Sequence, residues 1–210
     1  MRIGLILGST LKEKNALLYD TLKKVTDKYG HEVVNFGVFE DESNPYSYTE
    51  VAVLAALLIN SGVIDFIVTG CSSGQGMNLA LNTMPGILSG YLPTPQDAFL
   101  FGRINEGNAA SLPLGLGFGW LGELNLEYTL DKLFDGDFGI GYPPESAERK
   151  IRDTKVLHRL NEVAKKDMVS VLRELDSEFL QKILSKRNVV EYIVENATEN
   201  ELIEFLHENN

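Results

Sequence analysis

The sequence predicts an α/β fold: a three-layer arrangement with a parallel sheet between helices, followed by a C-terminal helical extension. Two observations predict it. Over the first ~145 residues, short and nearly continuous apolar runs alternate with amphipathic stretches, the pattern of parallel strands buried on both faces. From about Glu145 the chain becomes charged, glycine-free and periodic in apolar residues, which reads as several consecutive helices. The expected division is therefore an α/β unit over 1–145 and an extension over 146–210.

The elements follow in order. "RIGLILG" is a buried strand ending at Gly8. "KNALLYDTLKKVTDKYG" places Leu17, Leu18, Leu22 and Val25 at helical spacing and closes at Gly30, a C-terminal cap. "HEVVNFG" is the second strand. "TEVAVLAALLINSG" predicts a buried helix with Thr49 as its N-cap and a stop at Gly62. "VIDFIVTG" is the third strand and "MNLALNT" begins the third helix. "GILSGYL" and "AASLPLG" are weaker strand candidates. Pro143 and Pro144 in "YPPESAERK" mark the junction, since proline blocks helix there. Near the end, Thr198 and Glu201 have capping-box spacing.

Composition narrows the function. The 210 residues are 44% hydrophobic, enough for one sizeable core. A formal net charge of −11 argues against nonspecific nucleic-acid binding but not against a small anionic substrate, because a local cation can oppose the global field. One cysteine excludes an internal disulfide and fits a reducing compartment. The three histidines are scattered, so no metal-ligand cluster is expected. "MRIGLILGST" is too short for a signal peptide, and no apolar run approaches the ~20 residues of a membrane span. The expected location is the cytoplasm, without membrane or nucleic-acid partners.

The chemistry concentrates in "VTGCSSGQGMNLALN", where the single cysteine, Cys71, follows a strand and opens a glycine turn. Gly70, Gly74 and Gly76 allow a tight turn with outward amide groups. The following helix adds free N–H groups and its dipole, so the turn suits an anion or an oxygen that becomes anionic. It is neither a Walker loop nor a dinucleotide fingerprint. A thiol in such a field can serve as nucleophile or general base. No partner histidine is identifiable: His31 opens a strand, His158 lies on the extension and His207 is near the end. The alternative is a buried, inert cysteine.

Taken together, "RIGLILGST", "VIDFIVTG", "CSSGQGMNLALN" and "RINEGNAASLPLGLGFG" resemble the ribose-5-phosphate isomerase B/galactose-6-phosphate isomerase family, in the family's order and over roughly the first 155 residues. The resemblance implies a Rossmann-like fold and an aldose–ketose isomerase that needs no metal or other cofactor. A base moves a proton between adjacent carbons through a cis-enediolate. On this resemblance Cys71 is the base, Ser73 replaces the turn's threonine, Gly74 and Gly76 supply amides, and Asn105 binds the sugar or the enediolate oxygen. It also implies a homodimer or dimer of dimers with shared sites.

The departures bear on the substrate. Ser9 and Thr10 stand where the phosphosugar enzymes carry Asp-His, and Ile104 stands where they carry a loop histidine. "NPYSYTE" keeps Tyr46 and Tyr48, and Ser9, Thr10 and Tyr46 are expected among the substrate-binding residues. Arg103 is an added cation, offered either to a substrate carboxylate or to a surface ion pair with Glu106. Arg149, Arg152 and Lys155 lie near the family's paired phosphate arginines without matching their spacing. They share one helical face, which is either solvated or directed at a neighbouring subunit's site. The long tail and "INEGNAASLPLGLGFGWLGEL" resemble a branch acting on 4-deoxy-L-threo-5-hexosulose uronate. An unphosphorylated uronate is therefore the expected substrate, with a phosphosugar as the alternative. A non-catalytic sugar-binding relative is the competing class.

Other residues have plainer readings. Trp120 is expected in the core or a subunit interface rather than stacked on substrate. Asn105 and Asn108 also suit a turn. Asp97 is expected to cap the helix after Pro95, and His158 to be a solvated helix residue.

Overall fold

The computed structural model describes residues 1–115 and 117–209. Leu116, inside the quoted glycine-rich stretch, and Asn210 lie outside the described residues. The strands are β1 (Arg2–Leu5), β2 (Glu32–Asn35), β3 (Phe66–Cys71), β4 (Ser89–Tyr91) and β5 (Ala109–Pro113). Among the described residues they form one parallel sheet in the order β2-β1-β3-β5-β4. Both weaker strand candidates are strands.

The apolar runs divide between the two faces with period two. Ile3, Leu5, Phe66, Val68, Ala110 and Leu112 face α1 (Asn15–Thr26), α4 (Pro95–Leu100) and α5 (Gly122–Phe134). Ile67 and Ala109 face α2 (Tyr48–Asn60) and α3 (Gln75–Thr83). Gly30 ends the first helical segment in the left-handed conformation, as its position in the sequence predicts.

Val51 through Leu58 on α2 are all buried. A helix that is apolar all round must be covered on every side, and the C-terminal extension supplies the outer cover. The extension comprises α6 (Ala147–Ala164), α7 (Met168–Glu174), α8 (Ser177–Leu184), α9 (Arg187–Asn196) and α10 (Glu201–Asn209). Leu172, Ile183, Val190, Ile193 and Leu206 join α2 in one hydrophobic cluster. Each such side chain contributes roughly 1.5–3 kcal/mol on burial, so the extension is integral to the α2 face. Lys182 reinforces it through a 2.7 Å ion pair with Glu50.

Three caps differ from expectation, each by two or three positions. Ser47, not Thr49, begins α2, and the Glu50 carboxylate accepts its backbone N–H in a capping box. Thr94, not Asp97, caps α4; the Thr94 hydroxyl accepts the Asp97 N–H at 3.2 Å. At the start of α10 the Asn200 side chain accepts from Leu202 and Ile203, so the Thr198/Glu201 box does not form. Ser47 and Thr94 cap because their backbone is extended where the helix begins, which spacing alone does not determine.

Candidate active site

In the strand order, α1 carries the chain from β1 outward to β2 on one face, and α2 returns it to β3 on the other. The crevice between the carboxyl ends of β1 and β3 is thus the topological switch point, where open α/β sheets bind ligands. Ser9 and Thr10 follow β1, and the glycine turn follows β3.

The turn is fixed from several sides. A side chain at Gly70 would place its Cβ 2.3 Å from the Leu112 carbonyl, so glycine lets β3 and β5 close up. Gly74 has φ of 77° and caps α3 in the left-handed conformation. The Ser111 hydroxyl donates to its carbonyl at 2.7 Å. The Gly74 N–H donates to the half-buried Cys71 sulfur at 3.1 Å. The exposed Ser73 hydroxyl lies 3.9 Å from that sulfur and accepts from the Gln75 N–H at 3.3 Å. Gly76 occupies the first turn of α3, whose N–H groups have no intrahelical acceptor. A weakly held thiol, a hydroxyl and unshared amides therefore converge on a few ångströms of chain.

Two tyrosine rings bracket this turn. A Cβ at Gly74 would lie 2.6 Å from the Tyr91 ring, and one at Gly76 would lie 3.7 Å from the Tyr48 ring. Tyr48 is 47% exposed at the first position of α2, whereas Tyr46 is 3% exposed and its hydroxyl bonds Ser185 of the extension at 3.0 Å. Tyr46 is thus a buried structural residue, and Tyr48 is the ring at the rim. Only glycine fits beneath the Tyr91 ring at Gly74, whereas Gly76 leaves the Tyr48 ring in ordinary contact. Ser9 exchanges two bonds with the Tyr46 backbone, donating its N–H at 2.9 Å and accepting at its hydroxyl at 2.6 Å. Thr10 is exposed.

Arg103, Asn105, Arg149 and Arg152 do not reach this turn within the chain. Asn105 precedes β5 and Cys71 ends β3, so the two occupy opposite edges of the sheet. Asn105 is exposed. Helix α6 crosses the amino-terminal edge, where Thr154 donates to the Ile104 carbonyl at 2.6 Å and Asn161 to the Ile87 carbonyl at 2.8 Å. It carries Arg149, which is exposed and paired with Asp153 at 3.2 Å, and Arg152, also exposed.

Arg103 corrects both of its expected readings. It is 3% exposed, donates to the Leu133 carbonyl at 2.8 Å and faces Asp135 at 3.9 Å rather than Glu106. The rings of Phe99 and Phe138 flank its guanidinium. Burial draws its pKa below the ordinary value, against the pull of Asp135 and Asp137. A guanidinium held this way ties the π-helical turn Phe101–Asn105 to the end of α5 and offers no exposed fork to a carboxylate.

Asn108 shapes a turn, accepting from the Leu88 N–H and donating to the Gly86 carbonyl. Trp120 is 95% exposed, so it is not a core residue of the chain. His158 is half-buried with an enclosed Nε2 that has no partner among the described residues, so it is not the solvated residue expected. No group of three or more His, Cys, Asp or Glu among the described residues is placed to hold a metal ion.

The family model described as Ribose/Galactose Isomerase matches residues 11–125. Among solved structures, a 4-deoxy-L-threo-5-hexosulose-uronate ketol-isomerase complexed with a tartrate is 38% identical. It matches over 100% of this chain and 99% of its own, with a TM-score of 0.94. A ribose-5-phosphate isomerase from Vibrio parahaemolyticus is 35% identical over the same shares, also with a TM-score of 0.94. A ribose 5-phosphate isomerase from Thermotoga maritima is 25% identical, over 73% of this chain and 96% of its own, with a TM-score of 0.55. No curated protein matches the chain.

Proposed function

The chain belongs to the ribose/galactose isomerase family, and on that premise we propose that this aldose–ketose isomerase acts on an unphosphorylated deoxy-hexosulose uronate, with Cys71 as its base. The observation that carries the assignment of the base is the Cys71 sulfur at the switch point, 3.1 Å from the Gly74 N–H and beside the Ser73 hydroxyl.

In this reading the Cys71 thiolate removes the proton from the carbon next to the carbonyl. The electron pair moves onto the carbonyl oxygen and gives a cis-enediolate. The first-turn amides of α3 receive that oxygen's charge, and Ser73 carries the hydroxyl proton between the two oxygens. The thiol then returns its proton to the neighbouring carbon, so nothing is consumed.

The substrate class rests on the β1 end. Ser9 and Thr10 provide no charge for a phosphate, and the Ser9 hydroxyl is already taken by the Tyr46 backbone. The 38% identical hexosulose-uronate isomerase supports this choice. The equally superposable ribose-5-phosphate isomerase keeps a phosphosugar as the second reading.

We further propose a homodimer with shared sites. Asn105, Arg149 and Arg152, on the edge opposite Cys71, would serve the partner's turn. Residues 1–145 would form the catalytic unit and 146–210 its cover. No helix among the described residues is long and apolar enough to cross a membrane, and the single free thiol fits a cytoplasmic location.

The test is incubation with deoxy-hexosulose uronate, ribose 5-phosphate and galactose 6-phosphate in D₂O. Deuterium at the carbon beside the carbonyl should appear with the uronate. Efficient turnover of a phosphosugar without any of the uronate would establish the second reading instead.

A further inference from the structure

We infer that Lys14 is the cation that receives the substrate's carboxylate, at a cavity adjoining the Cys71 turn. The inference rests on the uronate reading above and names the group that reading leaves open once Arg103 is accounted for.

Lys14 ends the 3₁₀ turn Ser9–Lys14, which leaves the carboxyl end of β1. That is the edge of the sheet that carries Cys71. Its Nζ stands 4.0 Å from the centroid of the Phe118 ring. Phe118 lines a cavity of about 380 Å³ together with Tyr91, Pro93, Leu114, Leu126 and Thr129.

The walls of this cavity touch the glycine turn at two places. On one side the Gly115 N–H donates to the Ser72 carbonyl at 3.0 Å, and the Phe118 N–H donates to the Gly115 carbonyl at 3.0 Å. Gly115 is pressed so closely on Ser72 that an added Cβ would lie 2.2 Å from the Ser72 hydroxyl oxygen. On the other side the Tyr91 ring packs on Gly74. Space for the non-reacting end of a substrate therefore opens at the carboxyl edge of the sheet, behind residues that pack on the glycine turn.

The lining has the chemistry of a small deoxy sugar acid. It sets apolar side chains, suited to a carbon stripped of its hydroxyl, beside a comparable polar surface that suits the remaining hydroxyls. The Thr129 Oγ1 on its wall is enclosed, at 2% residue exposure, and has no hydrogen-bond partner among the described residues. A buried hydroxyl without a partner is unusual and marks a place for a ligand oxygen. Lys14, held over the ring of the lining residue Phe118, supplies the charge.

Other cations near this edge are already engaged. Lys12 donates to the Glu40 carbonyl, Lys182 pairs with Glu50, and Lys186 pairs with Glu42. Among the described residues Lys14 has an aromatic face as its neighbour and no carboxylate within ion-pair distance. A cation over a ring keeps much of its charge available to an incoming anion.

The experiment compares wild type, Lys14→Gln and Lys14→Arg on the deoxy-hexosulose uronate and on its methyl ester, whose carboxyl is neutral. Loss of one charge-assisted bond should raise KM for the uronate in Lys14→Gln by roughly 10- to 100-fold, with kcat changed by less than about three-fold. KM for the ester should be the same in wild type and Lys14→Gln, and Lys14→Arg should recover most of the loss on the uronate. An unchanged KM for the uronate in Lys14→Gln would overturn the role of Lys14. So would an equal rise with the ester, which would mean that Lys14 only shapes the loop. A wild-type enzyme inactive on the uronate but active on ribose 5-phosphate would overturn the uronate reading itself, and this inference with it.

Discussion

The Gly74 amide donates to the Cys71 sulfur at 3.1 Å, across a turn that Ser111 fixes from β5. Three features of the sequence meet in that one bond: a thiol at a strand end, a residue free to adopt positive φ, and a helix start. Cys71→Ala should therefore lower kcat by roughly the 10²–10⁴ expected for loss of a general base. Its melting temperature should fall only slightly, because the sulfur is half-buried at the margin of the α2 cluster and alanine keeps its Cβ there. A rate within ten-fold of wild type would exclude Cys71 as the base.

The two turn glycines should behave differently. At Gly74 a Cβ would meet both the Tyr91 ring and the Leu112 backbone, on a residue at φ of 77°. Gly74→Ala should cost more than about 1 kcal/mol and displace the amide from the sulfur, so activity falls with stability. At Gly76 a Cβ would sit in ordinary contact with the Tyr48 ring, and φ is not positive. Gly76→Ala should leave stability unchanged or raise it by up to about 1 kcal/mol, since alanine is the better helix former. Thermal unfolding of both variants checks the contrast; equal losses would contradict it.

The sheet, its parallel sense, the glycine turn and the helical tail were legible in the sequence because each rests on a local period or on a glycine. The roles of single side chains were less so. Arg103 reads in sequence as a free fork beside a loop, but the return of α5 and residues 135–139 buries it. Tyr46 and Tyr48 are equivalent on paper. The extension packs over Tyr46 and leaves Tyr48 at the rim, a difference set by residues about 140 positions away in the chain. Lys14 looks like one of several surface lysines until Phe118 is brought beneath it. Contacts made across long sequence separations determine these outcomes, and no periodicity encodes them.

Glu50 provides a pH signature of the extension's docking. Burial alone would raise its pKa, but the bonds from Lys182 and from Ser47 outweigh burial and hold it below the ordinary carboxylate value. A depressed folded pKa gives stability that is fully present above the unfolded value, near 4.5, and is lost as pH falls through the folded value. Wild type should therefore lose part of its margin over Glu50→Gln as pH drops from 6 to 3, as measured by urea unfolding. A margin independent of pH in that window would show that the Lys182 pair contributes nothing to stability.

Helix α6 has its polarity reversed for a lone chain, and this supports the proposed dimer. Thr154, His158, Asn161 and Lys165 recur at helical spacing on its inner face. Thr154, Asn161 and Lys165 donate to the carbonyls of Ile104, Ile87 and Met84 at the amino-terminal ends of β5 and β4. Val156, Leu160 and Val163 recur on the opposite face and are exposed. A helix that spends its polar side on the sheet and turns its aliphatic side outward gains only if a second surface covers the aliphatic stripe. The same helix carries Arg149 and Arg152, which cannot reach their own chain's Cys71. Leu160→Glu should therefore shift the protein toward monomer in sedimentation velocity while leaving far-UV circular dichroism unchanged, because the inner-face bonds persist. Activity should fall with the dimer fraction and recover at high protein concentration, as a shared site requires. Full activity in a Leu160→Glu protein that sediments as a monomer would show that each chain holds a complete site, and that the stripe covers something other than a second copy.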